Sequence, residues 1–187
     1  MRRLAVQPEV KMVSYYDRIM DQAAVILRGY VIERFFRAEG IQMSPEELGG
    51  TPNELQGHEL KEMVDGLLEI TEELNTNAEL QHLISEVPVY CIQDVFFATT
   101  KEIFTDGINF GKVAAVHHLA CKLIHRAHSQ NQPQVMVNII NWTLQFIREY
   151  ICKNSWPKVL RMTQMLIFTK SAASVCMMAI CIYSRML

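Results

Sequence analysis

An all-helical protein is predicted from three features of this 187-residue sequence. Almost every stretch with a regular apolar pattern repeats at helical spacing, and a convincing alternating pattern of the β-strand type is absent. Two neighbouring helical stretches in the second half are strongly apolar and are joined by a short polar turn. Hydrophobic residues make up 50% of the chain and charged residues 20%, against about a quarter in a typical globular domain. The length suits one domain with a sizeable core.

Charge, cysteine content and motifs narrow the class of function. A net charge of -2 provides no positive field for nucleic acid. The five cysteines are odd in number and form no CxxC pair, and the polar, basic start does not resemble a signal peptide. We therefore expect reduced thiols in the cytoplasm, without a disulfide or zinc framework. The sequence has no P-loop, GxSxG or HExxH motif, so neither an enzyme nor a cofactor is predicted.

The first predicted helix covers residues 15–38, and an exposed loop is predicted to follow over residues 40–57. The helix carries one apolar stripe, formed by Ile19, Ala23, Ile26, Leu27, Tyr30, Val31 and Phe35. The loop is predicted because six glycines and prolines interrupt the helical pattern: Gly40, Pro45, Gly49, Gly50, Pro52 and Gly57.

The next helix has the most regular pattern in the chain. Its apolar side chains step by three and four residues and form one ridge, made of Leu60, Met63, Leu67, Ile70 and Leu74. Acidic residues fill the other faces, and Asn75 and Asn77 are candidate terminators. Such a ridge is most often part of the protein's own core. The alternative is that it docks into a hydrophobic groove of a partner.

Two amphipathic stretches, residues 80–87 and 92–104, lead to the apolar hairpin. Asn109 is a good N-cap for a helix over residues 110–128, and Pro133 suits the first position of a helix over residues 133–152. The short polar link predicts that these two helices are antiparallel. Apolar residues surround much of the second helix, so we expect it to lie at the centre of the fold.

Four of the six histidines lie in the first helix of this hairpin. His117, Cys121 and His125 share one helical face but extend over two turns, too far for three ligands of one tetrahedral ion, so we predict no metal site. Buried or surface histidines without a special role are the simplest interpretation. A further hypothesis is that mild acidification charges these side chains and favours opening of the hairpin.

The C-terminal region is predicted to contain a short helix after Ser155 and a membrane anchor over residues 163–187. Every residue from Ser171 to Tyr183 is apolar or small. This run alone covers only roughly 20 Å of a bilayer core of about 30 Å. The longer segment includes Lys170, which can reach the interface. A buried C-terminal helix is the alternative.

Five segments resemble, in family order, the Bax-type apoptosis regulators of the Bcl family. They are IMDQAAVILRGYVIERF (the family's first helix), EITEELNTNAELQHLI (its third homology motif), TDGINFGKVAAVHHLACKL (its first motif), INWTLQFIREYI (the helix after it) and Ser155-Trp156 (its second motif). Together these matches cover most of the chain. The resemblance is greater to the Bax type than to the survival proteins of the family.

The resemblance implies an all-α bundle of eight to nine helices around a central apolar helical hairpin, with a hydrophobic surface groove. The bundle would cover residues 1–162, with the third motif at about 60–77, the first at about 105–123 and the second at about 154–166. The tail anchor would follow at 163–187.

It also implies a pro-apoptotic effector that moves from the cytoplasm to the mitochondrial outer membrane and permeabilises it. Its partners would be third-motif helices of activators and survival proteins, further copies of itself, and lipid of that membrane. A survival-type member, which sequesters such helices in its groove, is the alternative.

Individual positions match the family's motifs. Four hydrophobic anchors of the third motif correspond to Met63, Leu67, Ile70 and Leu74, flanked by Leu60. The groove motif corresponds to Asn109, Gly111 and Lys112, with Phe110 where the family has tryptophan, and Trp156 matches the aromatic residue of the second motif.

Two departures concern the contact between helix and groove. This chain has Thr71 and Glu72 where the family has a small residue followed by aspartate, and Lys112 where it has arginine. Thr71 should reduce docking affinity, because helix and groove backbones pack closely there. Lysine lacks the bidentate fork of arginine, but glutamate is longer than aspartate. We therefore predict that a Glu72–Lys112 contact persists in weakened form.

Overall fold

The computed structural model describes residues 8–107 and 109–154, which are all-helical apart from turns and loops. Seven α-helices lie in this part of the chain: α1 (Pro8–Glu39), α2 (His58–Ile70), α3 (Glu72–Thr76), α4 (Ala78–Ser85), α5 (Ile92–Ile103), α6 (Phe110–Ser129) and α7 (Pro133–Asn154). The predicted helix after Ser155, Trp156 and the anchor at 163–187 lie outside the described residues. No helix in the described ranges combines the length and apolarity needed to cross a bilayer.

Helix α6 is the centre of the bundle. It packs against α1, α2, α3, α4, α5 and α7. Its side chains are buried without interruption over residues 112–121. The chain enters α6 through its N-cap Asn109, whose side chain accepts a hydrogen bond from the Lys112 backbone N–H at 2.9 Å. The predicted all-α architecture and the Asn109 cap are therefore confirmed.

The predicted hairpin is formed by α6 and α7, joined by residues 130–132. Helix α7 begins at Pro133, as expected. Its predicted central position is wrong: over residues 133–149, where its side chains are described, only one face is buried, through Met136, Ile139, Ile140, Thr143 and Ile147. Trp142, Leu144 and Phe146 are only partly buried. Apolar residues on several faces are thus compatible with a helix at the side of the bundle.

The segment 40–57 is irregular, as predicted, but part of it is packed rather than exposed. A single 3-10 turn, Pro45–Leu48, buries Leu48 completely, and Met43 is also buried. Arg28 of α1 holds the segment through a hydrogen bond from its Nη2 to Glu54 Oε2 at 2.8 Å. A Cβ atom at Gly50 would lie 2.5 Å from Arg28 Nε, so the pair requires glycine there. The glycines and prolines predicted the turns but not this anchoring.

The helix with the most regular apolar pattern is divided at Thr71. Helix α2 ends at Ile70 and α3 begins at Glu72, and Thr71 itself has φ -91° and ψ 5°. The prediction of one uninterrupted helix is wrong here. Asn77 terminates α3 and caps α4, accepting a hydrogen bond from the Leu80 backbone N–H at 2.9 Å, which confirms it as a terminator. We refer to α2 and α3 together as the third-motif helix.

Candidate functional site

The buried side of the third-motif helix does not coincide with its predicted ridge. Val64, Leu67, Leu68, Thr71 and Leu74 are buried. Of the predicted ridge residues, only Leu67 and Leu74 belong to this stripe. Met63 is 41% exposed. Leu60 and Ile70 are partly buried. Two of the four predicted anchors therefore lie beside the intramolecular contact rather than inside it.

A polar cluster, formed by Tyr30, Arg34, Thr71, Glu72 and His118, joins the third-motif helix to α1 and α6. At its centre the Thr71 hydroxyl donates to the Leu67 carbonyl at 2.7 Å and contacts the Tyr30 hydroxyl at 2.7 Å. On the other side, the Tyr30 hydroxyl lies 2.9 Å from His118 Nδ1. Tyr30, Thr71 and His118 are completely buried, so these contacts are shielded from water.

Arg34 completes the polar cluster from α1. Its guanidinium donates to Glu72 Oε2 at 2.7 Å, to the Leu68 carbonyl at 2.7 Å and to Thr71 Oγ1 at 2.8 Å. The hydrogen bond from Arg34 lowers the pKa of Glu72. One buried cation of α1 thus binds three residues on both sides of the break between α2 and α3.

Burial keeps the other titratable members of the polar cluster neutral. It raises the pKa of Tyr30, which remains a phenol. It also lowers the pKa of His118 well below the usual value, and the charges of Lys122 and Arg34 act in the same direction. The pKa of the neighbouring Cys121 thiol is raised to about 12, again by burial. In the closed structure, the permanent charges here are those of Arg34 and Glu72.

The predicted groove residues lie together at the start of α6. Asn109 caps the helix, Gly111 is partly buried, and Lys112 is buried with its Nζ donating to the Gly107 carbonyl at 3.1 Å. Phe110 is the first residue of α6. Trp156 is outside the described residues. The start of α6 therefore has a capped backbone and one cation held by a backbone carbonyl.

Glu72 and Lys112 have other partners within this chain. Glu72 pairs with Arg34, and Lys112 binds the Gly107 carbonyl. The predicted Glu72–Lys112 contact concerns a third-motif helix docked in a groove, so it stays a prediction. To form it, the Glu72 of a released helix has to leave Arg34.

The predicted face of His117, Cys121 and His125 is used for packing. His117 Nδ1 bonds the Val113 carbonyl at 2.8 Å, and His125 pairs with Glu39 at the end of α1. In the ranges that the structure describes, no group of three or more His, Cys, Asp or Glu side chains is arranged to hold a metal ion.

Sequence reasoning missed the polar cluster, although signals for it were present. Tyr30 fits the apolar stripe predicted for the first helix, and the bulk of Thr71 is the property that its predicted role depends on. Arg34 continues the same stripe one turn after Tyr30, between Val31 and Phe35, and is 6% exposed. A charged residue in a buried stripe needs partners, and this could have identified the cluster.

The fold and the site define a helical bundle organised around α6, with α6 and α7 forming an apolar hairpin and an amphipathic helix, α2 with α3, joined to α1 and α6 by the polar cluster. The model of the Bcl-2 family, described as apoptosis regulator proteins, matches residues 60–158. The chain therefore belongs to the Bcl-2 family of apoptosis regulators.

Individual relatives agree with this assignment. Apoptosis regulator BAX of Bos taurus is 34% identical over 134 residues, which cover 71% of this chain and 68% of the relative. Bcl-2-related ovarian killer protein of Gallus gallus is 29% identical over 147 residues, covering 75% and 66%. The crystal structure of chicken BOK superposes with a TM-score of 0.62 at 24% identity, covering 76% of this chain and 91% of that one, and so supports the fold.

Proposed function

We propose that this chain is a pro-apoptotic effector of the Bcl-2 family. It resides in the cytoplasm, moves to the mitochondrial outer membrane, associates with further copies through its third-motif helix and groove, and permeabilises the membrane. It acts by binding and insertion rather than by catalysis. The segment 163–187 serves as its anchor, and third-motif helices of activators and survival proteins are its partners.

The exposure of the apolar ridge on the third-motif helix is the observation that carries this proposal. An effector has to insert its own third-motif helix into the groove of another copy, whereas a survival protein needs only a groove that binds such a helix. Here Met63 is 41% exposed and Ile70 is partly buried, while Leu67 and Leu74 are covered by the bundle. Part of the ridge is accessible to a partner before the helix is released, so docking can begin from the closed structure.

The hairpin supplies apolar surface that can enter lipid. Along α6 the side chains of Val113, Ala114, Ala115 and Val116 are at most 4% exposed. Buried apolar side chains are stable in water only while other helices cover them, and the hydrocarbon of a bilayer can replace that cover. Release of α1 and of the third-motif helix would uncover this surface of α6.

The burial and hydrogen bonding of Thr71 within the chain favour the survival-type alternative. Its side chain is completely buried and bonded within the chain, and its bulk opposes close docking in a groove. A chain whose third-motif helix is rarely released would sequester helices of other members and protect the membrane.

Release of a fluorescent dextran from liposomes with mitochondrial-type lipid distinguishes the two functions. The full chain with an activating third-motif peptide should release the dextran. A survival-type protein should not, and should instead suppress the release caused by a known effector. Protection without release would overturn the effector proposal.

Met63→Glu tests the role of the ridge without disturbing the core. Because Met63 is 41% exposed in the closed chain, we expect the thermal unfolding temperature to change little. Burial of the new carboxylate in a groove should abolish most of the dextran release. Gln22→Glu adds the same charge to an exposed position of α1 and should leave release unchanged. Equal release by the two variants would contradict the proposed contact.

A further inference from the structure

The hydrogen atoms of the polar cluster can be assigned by counting donors. The Leu67 carbonyl accepts only, so the single hydroxyl hydrogen of Thr71 points to it. Thr71 must then accept from Tyr30, at 2.7 Å. Tyr30 has used its only hydrogen and must accept from His118 Nδ1, at 2.9 Å. Every contact is satisfied in this one arrangement, with the proton of His118 on Nδ1.

This assignment leaves His118 Nε2 as a bare acceptor inside the bundle. The atom is buried, and none of the described residues lies within hydrogen-bond range of it. A second proton on His118 would have to occupy this position. The resulting cation would be buried without an acceptor and close to two other cations, Lys122 and Arg34. The closed arrangement therefore accepts only the neutral imidazole.

We infer that the polar cluster is a proton-sensitive latch: it holds the third-motif helix on α1 and α6 while His118 is neutral, and proton uptake by His118 favours the released helix. The pH-dependent release of the helix does not depend on the proposed function. This inference rests on that function only where it says that the released helix leads to membrane permeabilisation. It differs from the hypothesis that all four hairpin histidines favour opening of the hairpin. Here a single histidine, His118, acts through its contact with Tyr30 and affects the third-motif helix alone.

The direction of the pH effect follows from linkage. His118 has a depressed pKa in the closed chain and an ordinary one, about 6.5, once it is solvated. The closed state is therefore fully favoured above about pH 6.5 and loses stability as pH falls below that value. Between pH 7.5 and pH 5.5 the equilibrium constant for opening should rise about tenfold.

The other titratable groups around His118 differ from it in charge, exposure or hydrogen-bond partner. From α1 it faces Tyr30 and Arg34, and from its own helix Lys122. Burial raises the pKa of the Cys121 thiol to about 12, so this thiol stays protonated. Glu72 of α3, with a lowered pKa, remains ionised over this range. His58 on α2 and His82 on α4, unlike His118, are exposed in the closed chain. His117 is buried as well, and burial lowers its pKa, but its hydrogen bond stays within α6 and does not reach the third-motif helix.

Hydrogen exchange of the full chain at pH 7.5 and pH 5.5 tests the latch. Protection factors, which divide out the intrinsic pH dependence of exchange, are compared between amides of residues 60–74 and those of Ile139 and Ile140 in α7. We expect protection of the third-motif helix to fall about tenfold at pH 5.5 and that of α7 to fall less. Equal protection at both pH values would overturn the inference.

His118→Asn and His117→Asn form a matched pair of variants. Asparagine can present an N–H in place of Nδ1–H but does not titrate, so His118→Asn should abolish the tenfold change and His117→Asn should retain it. The opposite pattern, or an unchanged pH effect in His118→Asn, would contradict the latch. If His118→Asn fails to fold, Tyr30→Phe provides the test: protection of residues 60–74 should drop at pH 7.5, and unchanged protection would contradict the latch.

Dextran release measured on the same samples separates the latch from the proposed function. A tenfold loss of protection without release at either pH supports the latch and contradicts the effector role. Peptide-induced release together with pH-independent protection supports the effector role and overturns the latch.

Discussion

Helix α7 and the third-motif helix both pack on α1 and α6, but different forces hold them there. The contact of α7 is apolar, and its buried hydroxyl, on Thr143, bonds the Ile139 carbonyl of its own helix at 2.7 Å. The link from Arg148 to Asp17 of α1 is an exposed ion pair at 3.8 Å, which contributes little. The contact of the third-motif helix instead contains the polar cluster.

This difference determines which helix can be released by a specific signal. An apolar contact is non-directional, does not respond to pH, and weakens only when the whole face separates. A polar contact depends on particular protons and partners, and each partner can be exchanged for another donor or acceptor. In the proposed mechanism the third-motif helix is therefore expected to leave before α7.

The largest expected effect comes from the apolar contact. Ile139 is completely buried in α7, so Ile139→Ala should lower the free energy of unfolding by about 2–5 kcal/mol, through lost burial and the cavity that remains. Urea denaturation of the full chain measures this change. Ile139→Val, as the control, should cost only about 0.5–1.5 kcal/mol. A similar small loss for both variants would show that α7 is not held as described.

An intermediate effect is expected when the centre of the polar cluster is removed. Thr71→Val keeps the shape but leaves the hydroxyl of Tyr30 and one N–H of Arg34 without an acceptor, which should cost about 1–3 kcal/mol of unfolding free energy. Thr76 provides a matched control, because its hydroxyl also bonds a backbone carbonyl of its helix but is exposed. Thr76→Val should change stability by less than about 0.5 kcal/mol. Equal losses of stability in Thr71→Val and Thr76→Val would show that the polar cluster does not hold the third-motif helix as described.

The sequence predicted the helices well because helical spacing, caps and breakers are local features. Asn109, Pro133 and Asn77 each marked a boundary that the structure has, since each acts on the backbone of its own helix. The apolar pattern also identified α6 and α7 as a hairpin. It could not rank their burial, because the number of helices covering each face depends on the whole bundle. The apolar pattern therefore predicts α7 at the centre of the fold, whereas the structure has α6 at that position.

The site was less predictable, since it depends on contacts between distant segments. Tyr30 and His118 are 88 positions apart, and Arg34 and Glu72 are 38 apart. Spacing along one helix contains no information on such pairs. The resemblance to the family identified the anchors, and it marked Thr71 and Glu72 as departures. The resemblance relates Thr71 and Glu72 only to docking in a groove. The structure shows that both also bind Arg34 within the chain.

The smallest expected effect concerns the groove partner predicted for Glu72, namely Lys112. A peptide with the sequence of residues 58–80 lacks Arg34, so its binding to the full chain isolates the predicted contact with Lys112. In a double-mutant cycle, Glu72→Gln in the peptide and Lys112→Met in the chain should couple by about 0.5–1.5 kcal/mol, the contribution of one hydrogen bond. Titration calorimetry measures the four affinities. Glu73→Gln in the peptide is the control, because Glu73 is an adjacent exposed carboxylate outside the polar cluster. Coupling that is absent for Glu72, or equally large for Glu73, would mean that Glu72 serves the closed chain through Arg34 and has no specific partner in the groove.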